Sequence, residues 1–169
     1  MTPNLSRPLV LATGVFDLLH AEHVRMLFLA STKGSSLMVG LNTDASVRRL
    51  KGPGRPIINQ DDRQIMLAAL GFVDRVELFD EDTPLEMILR ERPDVLVKGH
   101  DYQDKGLPEA AALQEWGGRV WIAPTSNRIS TSQIIQKIQY MRTPQPRAEK
   151  SEPKIDLARY AGTYGGTTP

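Results

Sequence analysis

The sequence predicts one α/β domain built on a five-stranded parallel sheet with helices on both faces. Three observations predict it. Short runs rich in Val, Leu and Ile alternate with segments of helical period, the pattern of consecutive βαβ units. The runs are almost continuously apolar, as strands covered on both faces must be. The chain has 169 residues, of which 40% are hydrophobic, enough for a single core.

Taken in order, "RPLVLATG" (7–14) closes on Gly14 and reads as the first strand. From Ala21 the period changes: Val24, Leu27, Phe28 and Ser31 follow helical spacing, and Gly34 stands where a helix would stop. "SLMVGLN" (36–42) is the second strand. "DASVRRLK" fits a short helix or a turn, and "GPGRP" interrupts regular structure. "DDRQIMLAAL" is a helix with an acidic first turn, ended by Gly71, and "VDRVELF" is the third strand. "TPLEMILRE" opens a helix with Thr83 as the expected N-cap and Pro84 at the first helical position. "DVLVKG" is the fourth strand, "PEAAALQEWGG" a helix with a glycine stop, and "RVWIAP" the fifth strand. "STSQIIQKIQYM" is the last helix, with Ile134, Ile138 and Met141 on one face. The domain is expected to span 1–141. Residues 142–169, rich in Pro, Gly, Thr and charge, lack an apolar period and are expected to form a disordered tail.

Composition narrows the function. The formal net charge is +1, so the broad basic field of a general nucleic-acid binder is missing. There is no cysteine, which excludes disulfides and cysteine–zinc frameworks. "MTPNLSRP" has no apolar signal region, and no run approaches membrane-spanning length. The expectation is a cytoplasmic protein with neither membrane nor nucleic acid as partner.

The unusual residues gather where parallel sheets bind ligands, beyond the carboxyl ends of the strands. Gly14 to His23 follows the first strand, Asn42 to Lys51 the second, Lys98 to Tyr102 the fourth and Ser126 to Ser132 the fifth. "GVFDLLHAEH" sets His20 and His23, two of the three histidines, where a glycine-containing turn meets a helix start. Unpaired N–H groups and the helix dipole suit a phosphate there. Histidines at i and i+3 share a helix face, so both are expected to donate to one anionic group. "ISTSQII" repeats the logic with Ser130, Thr131 and Ser132, against the simpler reading of an N-cap. Lys51 lies in the loop "RRLKGPGRP", and Lys98 closes a strand beside Gly99 and Asp101. A strand-end lysine can be merely solvated; among so many anion donors it is expected to meet phosphate. Two other readings stand. His20, His23 and His100 allow a three-histidine metal site, although HxxH is not the i, i+4 pair of HExxH zincins. The first two histidines also fit a surface or capping role.

"GVFDLLHAEH" resembles the GxFDxxHxGH signature of the cytidylyltransferase-like nucleotidyltransferases. "RRLKGPGRPI", "DDR", "RPDVLVKGHDY" and "ISTSQII" follow in that family's order, across residues 8–141. "NTDASVRRLKGPGRPI", "DEDTPLEMI" and "RPDVLVKGHDY" look closest to its heptose 1-phosphate adenylyltransferase branch. The glycerol-3-phosphate cytidylyltransferases come next. Their RTxGIST stretch is matched in part by "TSNRISTS", with Arg128 in place of glycine and Thr125 in place of arginine.

The resemblance implies a Rossmann-like nucleotidyltransferase fold and transfer of AMP from ATP to a sugar phosphate, heptose 1-phosphate, releasing pyrophosphate. The alternatives are a CTP enzyme of the glycerol-3-phosphate type and a non-catalytic nucleotide-binding homologue. It implies catalytic roles for His20, His23 and Lys51. The nucleotide would contact Thr13, Gly14, Val15, Phe16, His20, His23, Lys98, Gly99, Asp101, Ser130, Thr131 and Ser132. The acceptor side would hold Asp17, Asn42, Asp44 and Arg63. Asp17 would orient the loop or the substrate, and Arg63 reads equally as a helix-surface cation. Mg2+ would arrive on the triphosphate, the acceptor would be a small phosphorylated molecule, and the chain would form a homodimer or larger homo-oligomer. Two positions depart from the pattern: Glu22 replaces the glycine of HxGH, and His100 replaces the second glycine of a VKGGDY-like strand end. Glu22 is expected to point to solvent, because histidines at i−2 and i+1 would take the ligand side.

Overall fold

The computed structural model describes residues 5–99, 108–124 and 128–142. Along them run β1 (Leu9–Gly14), α1 (Ala21–Ser31), β2 (Ser36–Asn42), α2 (Asp44–Lys51), α3 (Gln60–Ala68) and β3 (Arg75–Phe79). There follow α4 (Leu85–Glu91), β4 (Val95–Lys98), α5 (Pro108–Gln114), β5 (Arg119–Ile122) and α6 (Thr131–Arg142). All strand pairs are parallel, in the order β3-β2-β1-β4-β5. The chain order reverses between β1 and β4, which opens a crevice at the carboxyl end of β1. The tail expected over 142–169 falls, from residue 143 onward, outside the described residues.

Two aspartates start the sheet in register. Asp74, just before β3, donates its N–H to Leu37 O at 2.9 Å and accepts from Leu37 N at 2.7 Å through its carboxylate. Asp94, just before β4, repeats both bonds with Leu9, at 2.9 and 2.6 Å. Each carboxylate thus extends the ladder by one bond where the strand has run out of backbone partners. Arg7 in turn pairs with Asp94 at 3.0 Å.

Alternation along the strands builds two cores. Val10 and Ala12 of β1, with Val39 and Leu41 of β2, face Leu27 and Ala30 of α1 and Leu67 of α3. Leu9, Leu11 and Met38 face Met87 and Ile88 of α4 and Leu113 of α5. The helices therefore cover both faces, and the strands are apolar on both sides for that reason.

Three local expectations differ from the structure. The α4 helix begins at Leu85 with Pro84 in the capping position and no side-chain cap bond, so Thr83 is not its N-cap. The α1 helix stops at Ser31, before Gly34. Gly34 serves a close approach instead: a Cβ there would lie 2.3 Å from Pro8 O and 2.7 Å from Val10 Cγ2. The α6 helix buries none of its residues, and Ile138 and Met141 of its expected apolar face are exposed.

Gly34→Val should therefore lower the unfolding free energy by about 1–3 kcal/mol, the usual cost of forced overpacking. Urea denaturation of the two proteins measures it, and an unchanged midpoint would mean that the start of β1 yields freely.

Candidate active site

The loops at the carboxyl ends of β1 and β2 carry irregular backbone whose polar groups need partners. Two buried charges supply them. Asp17, 1% exposed, accepts from Arg55 Nε at 2.7 Å, Ile57 N at 2.9 Å and Ile58 N at 3.0 Å. Burial alone would raise its pKa, but these N–H groups and the Arg55 charge outweigh it and hold the carboxyl below its usual value. Asp17 thus fixes the loop between α2 and α3. Its neighbours Phe16 and Leu18 both take left-handed backbone, with φ of 48° and 49°. Such residues cost on the order of 1–3 kcal/mol each and persist where their surroundings dictate them.

Arg63 is the second charge, and here the structure corrects the sequence. It is neither a helix-surface cation nor a ligand-facing one, because its side chain is 0% exposed. Its guanidinium donates to Ile58 O at 2.9 Å, Val15 O at 2.6 Å, Asn42 O at 3.0 Å and Asp44 Oδ1 at 2.8 Å. Asp44 is thereby committed to Arg63 rather than presented to a substrate.

Above this frame lies a cleft of about 660 Å³, within the range of small-molecule sites. Its wall brings together Thr13, Gly14, Val15, Phe16, Asp17, His20 and His23 from the β1–α1 junction. Asn42 and Lys51 border it from β2 and α2, Lys98 and Gly99 from β4, and Ser130, Thr131 and Ser132 from the start of α6. Arg63 and Asp44 are not in the wall. Asp101 and His100 lie outside the described residues. The wall also contains residues that sequence reasoning passed over, among them Met26, Leu50, Arg55, Phe79, Asp82 and Pro84.

The histidines do not stand side by side on a helix. His20 is the N-cap of α1, with extended backbone (φ −136°, ψ 172°) and no capping bond from its side chain. Its ring stacks on that of His23, with centroids 3.8 Å apart and planes at 18°, and Phe16 meets His23 edge-on at 5.3 Å. The Nδ1 atoms of both rings are buried, with no hydrogen-bond partner among the described residues. Burial lowers the pKa of His20, which the Glu22 carboxylate partly offsets. Burial, then the neighbouring His20 charge, pushes His23 down to about 4, with Asp17 opposing. Both imidazoles are neutral at pH 7, so each offers one N–H donor and one lone pair.

Glu22 is the second correction. It is 8% exposed and borders the cleft rather than pointing to solvent. The expectation counted His20 as part of the helix; as an extended cap it stands off the helical phase. Glu22 shares the i, i+4 stripe of Met26 and Ala30, and that stripe turns inward.

At the other side of the crevice Ser130 caps α6, its Oγ accepting from Gln133 N at 3.3 Å. Thr131 Oγ1 donates to Asp17 O at 2.6 Å, tying α6 to the β1 loop. Lys98 is 6% exposed, and its Nζ lies 3.2 Å from Glu109 Oε1 of α5, itself 7% exposed. Among the described residues no group of three or more His, Asp or Glu side chains is arranged to hold a metal ion.

Comparison with known proteins identifies the family and relatives of the chain. The cytidylyltransferase-like family profile matches residues 11–137. The chain is 50% identical over 136 residues to D-beta-D-heptose 1-phosphate adenylyltransferase of Bordetella bronchiseptica, covering 80% of this chain and 84% of that protein. It is 49% identical over 132 residues to the bifunctional protein HldE of Trichlorobacter lovleyi, where the match covers 78% of this chain but 27% of the relative. The chain thus spans about a quarter of the length of that bifunctional relative. Among solved structures, the lipopolysaccharide core biosynthesis protein from Thermoplasma volcanium superposes with a TM-score of 0.59 at 26% identity, over 70% of this chain and 98% of that one. A protein from Archaeoglobus fulgidus shares the fold alone, at 17% identity and a TM-score of 0.54.

The depressed His23 pKa makes stability depend on pH. The unfolded chain takes up a proton at about 6.5 and the folded one at about 4, so unfolding binds protons between these values. The contribution is intact above 6.5 and is lost as pH falls from there to about 4, up to roughly 3 kcal/mol in all. A His23→Gln protein should show a flatter fall of melting temperature across that window. Equal slopes in the two proteins would mean that His23 titrates normally.

Proposed function

The chain belongs to the cytidylyltransferase-like family, and from that membership we propose that it transfers AMP from ATP to a sugar phosphate, heptose 1-phosphate, with release of pyrophosphate. The 50% identity to a heptose 1-phosphate adenylyltransferase over most of both chains carries the choice of nucleotide and acceptor. The stacked, neutral histidine pair at the mouth of a helix carries the choice of chemistry.

In the proposed reaction an oxygen of the acceptor phosphate attacks the α-phosphorus of ATP in line. One P–O bond forms, the bond to the β-phosphate bridge breaks, and pyrophosphate leaves. The acceptor is a monoester with a second pKa of about 6, so it is already ionised and needs no general base. Neutral His20 and His23 donate to phosphoryl oxygens as charge shifts toward the leaving group. Ser130, Thr131 and Ser132, at the α6 N-terminus, receive the outer phosphates. Lys51, exposed and bordering the cleft, closes on the reacting phosphates from α2. Asn42 and Asp17 stand on the acceptor side, Asp17 acting through the loop that it pins.

Charge in the cleft supports a divalent cation. Arg55 is paired with Asp17 and Lys98 with Glu109, and both histidines are neutral. Among the described residues of the wall that leaves Lys51 against a triphosphate. The residues fit Mg2+ carried on the phosphate oxygens, where it would neutralise charge, with Glu22 as the neighbouring carboxylate. The protein is proposed to act in the cytoplasm as a homodimer or larger homo-oligomer. The exposed Ile138, Tyr140 and Met141 of α6 support self-association, and no described helix is long and apolar enough to cross a membrane.

Pyrophosphate release, measured for ATP and CTP against heptose 1-phosphate, other sugar phosphates and glycerol 3-phosphate, tests the reading. The ATP–heptose 1-phosphate pair should turn over fastest; release only with CTP, or with no acceptor, would overturn it. His20→Ala and His23→Ala should each lower kcat by roughly 10²–10³ while the protein stays folded. A variant with full turnover would remove that histidine from the mechanism.

Glu22→Gln tests the cation. Calorimetry should show tighter ATP binding than wild type without Mg2+, where a like charge has gone, and weaker binding with it. Identical affinities under both conditions would take Glu22 out of cation binding.

A further inference from the structure

The wall of the cleft that continues outward from Asn42 differs from the side that faces α6. Phe79 stands level with Asn42 across the β2–β3 ladder. Beside it Leu50, Asp82 and Pro84 border the cleft. This wall is an apolar surface with one carboxylate, Asp82, whose side chain is 66% exposed. It lies on the β2–β3 side of β1, whereas α6 follows β5 on the opposite side. With the outer phosphates of the nucleotide received at the α6 N-terminus, the β2–β3 wall falls to the acceptor.

The position of Asp82 is set by α2. Arg49, in the last turn of that helix, donates from Nε to Asp82 Oδ1 at 3.0 Å and from Nη1 to Asp80 Oδ2 at 3.3 Å, and its Nη2 bonds the Asp80 carbonyl. Thr43 Oγ1, at the N-cap, donates to the Asp80 carboxylate, and Ser46 Oγ reaches Glu81 O at 3.4 Å. Exposed ion pairs contribute little to stability. What these bonds fix is direction: residues 80–82 are strapped to the helix whose next two residues, Leu50 and Lys51, also border the cleft.

An ionised carboxylate only accepts hydrogen bonds, and it repels phosphate. The Arg49 guanidinium beside it disfavours a second cation. The partner that remains is a neutral donor, and hydroxyls are the neutral donors of a sugar phosphate. We propose that Asp82 is a specificity-determining residue whose carboxylate accepts from hydroxyls of the acceptor sugar. Phe79, Pro84 and Leu50 pack against the carbon face of that sugar, and Arg49 is the positioning residue. This rests on the sugar-phosphate reading and adds to it what recognises the sugar rather than its phosphate.

Pyrophosphate release with ATP and heptose 1-phosphate or its single-deoxy analogues tests it, in wild type, Asp82→Ala, Arg49→Gln and the double variant. Asp82→Ala should raise KM for heptose 1-phosphate roughly tenfold or more, the usual worth of a hydrogen bond to a charged group, and leave KM for ATP where it was. Wild type should use at least one deoxy analogue about tenfold less well than the parent, and Asp82→Ala should use the two alike. Arg49→Gln should raise the same KM but add little once Asp82 is gone. Both side chains are exposed, so the variants should fold, which melting curves check. An unchanged KM for heptose 1-phosphate in Asp82→Ala, a deoxy preference that survives there or is missing from wild type, or a rise in KM for ATP instead overturns the proposal while leaving adenylyl transfer standing. An Arg49→Gln loss equally large in both backgrounds overturns the positioning role. Wild type that releases pyrophosphate with no sugar phosphate overturns the sugar-phosphate reading, and this assignment with it.

Discussion

The cleft depends on two buried charges that serve the backbone. Arg63 donates to carbonyls of the β1 loop, of the end of β2 and of the segment before α3. Asp17 accepts from the N–H groups of Ile57 and Ile58 and from Arg55. Two loops and the end of a strand are thereby joined at one place. Burying an isolated charge is costly, and removing one member of such a network costs about 3–5 kcal/mol. Here each charge is surrounded by complementary groups, so its desolvation is offset by hydrogen bonds. The left-handed Phe16 and Leu18 on either side of Asp17 show how tightly that loop is dictated.

The same economy of charge shapes the ligand-facing wall. Free cations are the simplest way to build a site for a triphosphate. Instead Arg55 and Lys98 are each matched by a buried carboxylate, and burial keeps the two histidines neutral, His20 adding to the effect at His23. Donors of this kind are oriented before the ligand arrives and do not need to reorganise as charge develops on the phosphoryl group. Their strength comes from direction and dryness rather than from net charge, and a cation carried on the ligand supplies the rest.

The fold and the place of the site were legible from the sequence because they rest on periodicity. Strands buried on both faces must be apolar throughout, so "LVLATG", "SLMVGLN" and "DVLVKG" announced themselves. A parallel sheet presents its carboxyl ends to ligands, so the histidines, Lys51, Lys98 and the Ser130–Ser132 run belonged to one region. The clamps by Asp74 and Asp94 were less visible, since an aspartate ahead of a strand reads first as a turn residue.

What the sequence determined by itself was which residues lie at that end of the sheet; which way each of them points was decided only by the tertiary structure. Arg63 falls on the same helical stripe as the buried Leu67, four residues on, so the signal for its burial was present. Its partners were not, because Val15, Asn42 and Asp44 come from the loop after β1, the end of β2 and the start of α2. Glu22 turns inward because His20 is an extended cap, and a helical phase counted from the wrong residue reverses a side chain's direction. Glu109 sits eleven residues beyond Lys98, and no spacing rule links a strand end to a helix that folds back on it. Periodicity is local and survives in one dimension; pairing between elements depends on how they pack, and that is fixed only when the chain closes on itself.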